Sequence, residues 1–186
     1  MRTKDFDKLE RIKRAIVNVT LKEGIDGCSV AKIARAAGVS PATIYVYYEN
    51  KEEMLSAVFS EYAHQSYFHM TDKLIPDMSA EDLIETIVRS AYNYALDHEE
   101  AFSFVEQCSS NPALQECVTQ TDCCPELLRT IHAYQERGLI RSCSDQNMVA
   151  VLFAPIKFFA FNHRNYPDRQ EGLDELIELL QNALIY

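Results

Sequence analysis

Ser29-Val30-Ala31-Lys32-Ile33-Ala34-Arg35-Ala36-Ala37-Gly38-Val39-Ser40-Pro41-Ala42-Thr43-Ile44-Tyr45-Val46-Tyr47-Tyr48-Glu49-Asn50-Lys51 reads as helix, glycine turn, helix. Val30, Ile33, Ala34 and Ala37 recur at i, i+3, i+4 and i+7, so they predict one buried stripe on a short helix over 30–37, capped by Ser29. Gly38 stands where the chain reverses, a position that calls for positive φ. Ser40 then caps a second short helix, with Pro41 at its first position and Tyr48 near its end. Val39 and Ile44 are expected to point inward against Ile33 and Ala34. That leaves Ser40, Pro41, Ala42, Thr43, Tyr45 and Tyr47 facing outward, small or hydroxyl-bearing and free of acids. Such a face suits a DNA major groove, where small residues permit close approach and hydroxyls reach phosphates and base edges.

The flanking sequence keeps the helical period. Residues 5–23 put Leu9, Ile12, Ile16 and Val19 on one face, with Lys8, Arg11, Lys13, Arg14 and Lys22 around the rest. Asn50, with Glu53 three residues on, caps a fourth helix. The stretch 80–97 is apolar over most of its circumference and is expected to be central. Helices are predicted over 99–108, 112 to about 119, 125–137, 148 to about 162, and 173–184. No segment holds a period of two, so the chain is expected to be all-α. Pro155, inside an apolar run, predicts a kink.

Charge divides the 186 residues unevenly. The formal net charge is −10, but residues 1–50 carry nine basic and six acidic side chains, and all remaining excess acid lies beyond them. A uniformly acidic surface would repel nucleic acid, whereas a basic head on an acidic body need not. At 47% hydrophobic and 25% charged residues, disorder is excluded. The longest apolar run, Met148 to Phe161, contains Lys157 and Pro155 and falls short of the roughly 20 residues of a membrane span. No secretory signal is visible at Met1-Arg2-Thr3-Lys4-Asp5, so a soluble, cytoplasmic protein with reduced thiols is expected.

On Ala34, Gly38-Val39-Ser40, Thr43-Ile44-Tyr45, Tyr47-Tyr48 and Lys51, the segment from about residue 6 to 66 resembles the DNA-binding signature of the TetR (tetracycline-repressor-like) transcriptional regulators. Ala42 stands where glycine is common, and Tyr48 replaces the usual phenylalanine, adding a hydroxyl that must find a partner. The resemblance implies a three-helix DNA-binding head over residues 1–50 and a helical bundle over 51–186 for effector binding and dimerisation. It implies recognition by Ser40 to Tyr48 and phosphate contacts from Ser29, Tyr47 and Lys51, with Lys32 also counted in the interface. A homodimer would form through the helices near 148–162 and 173–184. Its two heads would then read half-sites of a palindromic operator about one turn apart, ~34 Å, or a small multiple.

An acidic, aromatic-bearing body behind such a head suggests a pocket for a hydrophobic small molecule. Tyr62, Tyr92, Phe102, Phe104, Tyr134, Phe158 and Phe159 are its candidate lining, and Glu61, Glu85, Glu106 and Glu136 extend the proposal to a lipophilic cation. Cys108, Cys117, Cys123 and Cys124, with His98 and His132 nearby in sequence, leave a thiol-based metal or redox sensor open, although the spacing fits no zinc template. A helical protein-interaction module without DNA binding is the third reading. Catalysis, cofactors and a resident metal are not expected: there is no glycine-rich phosphate loop, G-x-S-x-G or H-E-x-x-H. The acid pairs Glu52-Glu53 and Glu99-Glu100 sit in first turns, where the helix dipole favours them without any chemistry.

Overall fold

The structure is a computed structural model, and it describes residues 2–114 and 125–186. Its described helices are α1 (Arg2–Gly27), α2 (Val30–Ala37), α3 (Pro41–Ile44), α4 (Lys51–Thr71), α5 (Ala80–Asp97), α6 (Glu99–Ser109), α7 (Pro125–Glu136), α8 (Asp145–Asn162) and α9 (Arg169–Leu184). Short 3-10 turns cover Pro112–Leu114 and His163–Asn165. Among the described residues there is no strand, only an isolated antiparallel bridge between Ile140 and Ile185. The expected all-α fold is what forms. No described helix is long and apolar enough to cross a membrane. Cys117, Cys123, Cys124 and the helix expected to run on to about residue 119 lie outside the described residues, apart from the 3-10 turn that opens it.

The described residues group into two compact units, 2–64 with 98–114, and 65–97 with 125–186. In the first, α1 buries Ile12, Ala15, Ile16, Val17 and Val19, more of its surface than the one predicted face. The reason is that α1 carries two partners, α2 on one side and α6 on another. From α6 come Phe104 and Cys108, both fully buried. The Phe104 ring meets Tyr62 of α4 edge-on at 6.1 Å, a favoured aromatic geometry. Gly24 breaks α1 with φ +74°, so the helix predicted over 5–23 is extended by a separate turn to Gly27.

In the second unit α5 is central, as its composition predicts, packing against α8 and α9. Ala80, Leu83, Ile84, Ile87, Val88, Ala91, Tyr92, Tyr94 and Ala95 are all buried. Arg89 ties it to α9 through Asp174 at 2.5 Å, and along its own helix to Glu85 at 2.7 Å. Pro155 lies within α8 and does not end it. Gly172 of α9 is a packing glycine. A Cβ there would fall 2.7 Å from Tyr166 Cδ1 and 3.1 Å from Phe159 Cε2, and those two rings meet at 4.6 Å, tilted by 54°. Replacing a helical glycine with alanine ordinarily stabilises by about 1 kcal/mol. Here overpacking costs about 1–3 kcal/mol and reverses the sign. Gly172→Ala is expected to lower the melting temperature by up to about 8 °C in a circular-dichroism melt; an increase would show that Tyr166 does not pack there.

Candidate nucleic-acid interface

The helix-turn-helix is built from local rules that can be followed bond by bond. Ser29 adopts extended backbone and its Oγ accepts the Lys32 N–H at 3.4 Å, capping α2. At the other end Gly38 sits in the left-handed region, φ +66° and ψ +38°. The Val39 N–H bonds back to the Ala34 carbonyl at 2.9 Å and the Gly38 N–H to Arg35 at 3.3 Å, the paired bonds of a Schellman motif. A Cβ at Gly38 would meet nothing within 4 Å, so the backbone angle, not space, demands glycine. Ser40 then caps α3, its Oγ accepting the Thr43 N–H at 3.2 Å while lying 3.0 Å from Thr43 Oγ1.

Burial follows the prediction with three corrections. Ile33, Ala34, Ala37 and Ile44 are buried, but Val30 and Val39 are only half-buried because they stand at the ends of the packed stripe. The second helix was expected to reach Tyr48, and its α-helical part ends at Ile44. The chain continues in tightened turns, Val46 N–H to Thr43 and Tyr47 N–H to Ile44. A run of β-branched and aromatic side chains, Ile44 to Tyr48, has little helical preference of its own. Asn50 caps α4 by accepting the Glu53 N–H at 2.8 Å, and the Glu53 carboxylate accepts the Glu49 N–H in return.

The predicted DNA-contacting residues lie at the cap and first turn of α2, along α3 and the turns after it, and at the start of α4. Ser40, Pro41, Ala42 and Tyr45 are exposed, and Ser29, Lys32, Thr43, Tyr47 and Lys51 are half-buried. Lys32 is already engaged: its Nζ pairs with the Glu23 carboxylate and donates to the Gly27 carbonyl at 2.9 Å. From α1, Lys13 donates to Glu10 at 3.0 Å and to Glu61 of α4 at 2.7 Å. Burial alone would lower the Lys13 ammonium, but its hydrogen bonds to Glu61 and Glu10 outweigh that and raise its pKa. Tyr48 lies in the same field, 8% exposed, its phenol pushed up mainly by burial. This polar cluster was missed in the sequence because Lys13 and Glu61 are 48 positions apart.

The seven aromatics singled out for an effector fall into both units. Tyr62, Phe102 and Phe104 belong to the first and Tyr92, Tyr134, Phe158 and Phe159 to the second. Tyr92 and Phe159 meet at 5.3 Å, and buried Tyr134 donates its hydroxyl to the Met78 carbonyl at 2.7 Å. Phe158 stands apart, 64% exposed. It belongs to an outward stripe of α8, Val151, Ala154, Phe158 and Phe161, spaced as one helix face and wholly apolar. Next to it Leu176, Leu179 and Ala183 form a similar stripe on α9. The two flank a shallow cleft of about 210 Å³ lined by Pro155, Phe158, Tyr166, Gly172 and Leu179 among others. Of the described cysteines, Cys28 and Cys108 are buried and Cys143 is exposed. Burial, with Cys28 adding to it, pushes the Cys108 thiol up to about 12. Among the described residues no three His, Cys, Asp or Glu side chains are grouped to hold a metal ion.

Comparison with known proteins agrees with this geometry. Residues 12–58 match the family of bacterial regulatory proteins, tetR family. A fatty acid metabolism regulator protein of Bacillus subtilis is 30% identical over 115 residues, 61% of this chain and 59% of its own length. An uncharacterised helix-turn-helix transcriptional regulator of Haemophilus influenzae is 25% identical over 78% of this chain and 77% of its own. The crystal structure of a TetR family transcription regulator from Marinobacter aquaeolei superposes with a TM-score of 0.87 at 24% identity, covering 100% of this chain and 99% of that one. Residues 12–58 thus match the regulatory domain of the tetR family, and the whole chain shares the fold of a TetR family transcription regulator.

Proposed function

We infer that the chain is a one-component repressor that binds a palindromic operator as a homodimer and is released by a hydrophobic effector. The observation carrying this reading is the acid-free segment from Ser29 to Tyr48, held by two serine caps and the Gly38 turn. Residues 1–50 read DNA: Ser40, Pro41, Ala42, Thr43 and Tyr45 face base edges, while Ser29, Lys32, Tyr47 and Lys51 meet phosphates. Residues 51–186 dimerise and bind the effector, and the protein works in the cytoplasm as a switch rather than a catalyst. The apolar stripes of α8 and α9 supply the subunit contact, which takes Phe158 out of the effector set. Release is a population shift: the effector must favour the conformation that does not fit the operator, since equal affinity for both would change nothing.

Two of the carboxylates that suggested a cationic effector are already neutralised, Glu61 by Lys13 and Glu85 by Arg89. The relationship to a fatty acid metabolism regulator favours a second reading of the ligand, a molecule with a long acyl chain. A thiol switch gains nothing from Cys108, which stays protonated at neutral pH and is therefore a poor nucleophile and metal ligand. The test is a gel shift with DNA from upstream of the gene at low ionic strength, followed by addition of long-chain acyl compounds, neutral lipophiles and lipophilic cations. Binding, and release by the acyl compounds alone, is the expected result. Release by the cations alone would overturn the acyl reading, and no shift with any fragment would overturn the repressor.

A further inference from the structure

Val46 is 77% exposed, the most exposed of the large hydrophobic side chains among the described residues, yet both neighbouring core positions, Ile44 and Tyr48, are buried. It is not on a loose loop. Its N–H bonds to the Thr43 carbonyl at 3.3 Å, and the next residue is tied to Ile44 at 3.0 Å, so the isopropyl group is held out to solvent. In the same short segment Ala42 is exposed and Thr43 half-buried. The electrostatics name the partner. From Ser29 to Tyr48 there is no carboxylate; Lys32 is paired with Glu23 and Arg35 stands exposed, a balance that suits a polyanion. The apolar feature that the major groove offers is the C5-methyl of thymine.

We propose that Val46 is a specificity-determining residue that reads a thymine methyl in each operator half-site. The proposal rests on the repressor reading above. An exposed isopropyl group cannot discriminate bases by hydrogen bonding. It discriminates by removing a methyl group from water, and it leaves the other three bases without that gain.

The test uses the full-length protein and an operator recovered by selection from randomised duplexes. Each thymine is then replaced by uracil, symmetrically in both half-sites, which deletes the methyl and leaves pairing intact. Affinity is read by fluorescence anisotropy. One symmetric thymine pair is expected to lose about fourfold per half-site on replacement, the value of one buried methyl group. V46A is expected to bind the thymine operator as weakly as the wild type binds the uracil one. It should be indifferent to uracil at that pair while keeping the wild-type response elsewhere. An unchanged melting temperature for V46A shows that the loss is one of reading rather than folding. If V46A remains as sensitive to that replacement as the wild type, if no replacement matters, or if the selected half-site has no thymine, the proposal is overturned and DNA binding stands. If the selection enriches no duplex, the repressor reading falls and the proposal with it.

Discussion

Leu179→Glu together with Phe158→Glu is expected to convert the protein from a dimer to a monomer and to cut operator affinity at least a hundredfold. The two side chains are 67% and 64% exposed, so a carboxylate at either position meets water in a single subunit and leaves the core untouched. In a two-fold dimer the same stripe is used by both subunits, so each substitution counts twice. Burying a leucine or phenylalanine side chain is worth about 1.5–3 kcal/mol, and four such losses, compounded by facing carboxylates, exceed ~6 kcal/mol. That corresponds to more than a ten-thousandfold change in the dimer constant. Sedimentation equilibrium at micromolar protein reads the mass directly. The effect on DNA is indirect: separated heads lose the effective-concentration advantage of joined ones, about 10²–10⁴. A double variant that keeps the two-chain mass would place the subunit contact elsewhere, and an altered melt of the isolated subunit would show that the stripes are part of its core.

What the sequence makes legible is what is local. The bounds of α2 and α5 fall on the residues at which caps and periodicity end, because Ser29, Gly38 and the apolar spacing act within a turn or two. The end of α3 was misread because an apolar period persists through Tyr48, while the backbone preference of Ile44-Tyr45-Val46 does not. Non-local contacts left less trace. Nothing near Phe104 or Cys108 says that α6 packs along α1, and Gly172 reads as a weak helix position until Tyr166 is seen lying on it. Val46 was overlooked for a different reason. It is not among the six residues expected to face outward, and its 77% exposure in the structure is what shows where it points.

Lys51→Ala and Tyr45→Ala are expected to weaken operator binding in two distinguishable ways. Lys51 opens α4 and would carry a phosphate contact, a Coulombic one blind to sequence. Its loss should weaken every duplex alike and reduce the slope of log affinity against log salt by about one per head. Tyr45 is 57% exposed and its backbone N–H stays bonded to Pro41 whatever the side chain, so truncation leaves the turn in place. Its removal should cost ~1–3 kcal/mol at one base position in each half-site, about 30-fold to 10⁴-fold for the dimer, and relax selectivity there alone. Thr43→Ala is the less clean variant, since Thr43 Oγ1 lies 3.0 Å from Ser40 Oγ and its loss also disturbs the neighbouring hydroxyl. The cap bond itself comes from the Thr43 backbone and survives. Anisotropy titrations over a salt series, with a panel of single-base operator variants, separate the outcomes. A Tyr45 variant that weakens all sequences equally makes Tyr45 a phosphate contact, and a Lys51 variant with an unaltered salt slope removes Lys51 from the interface.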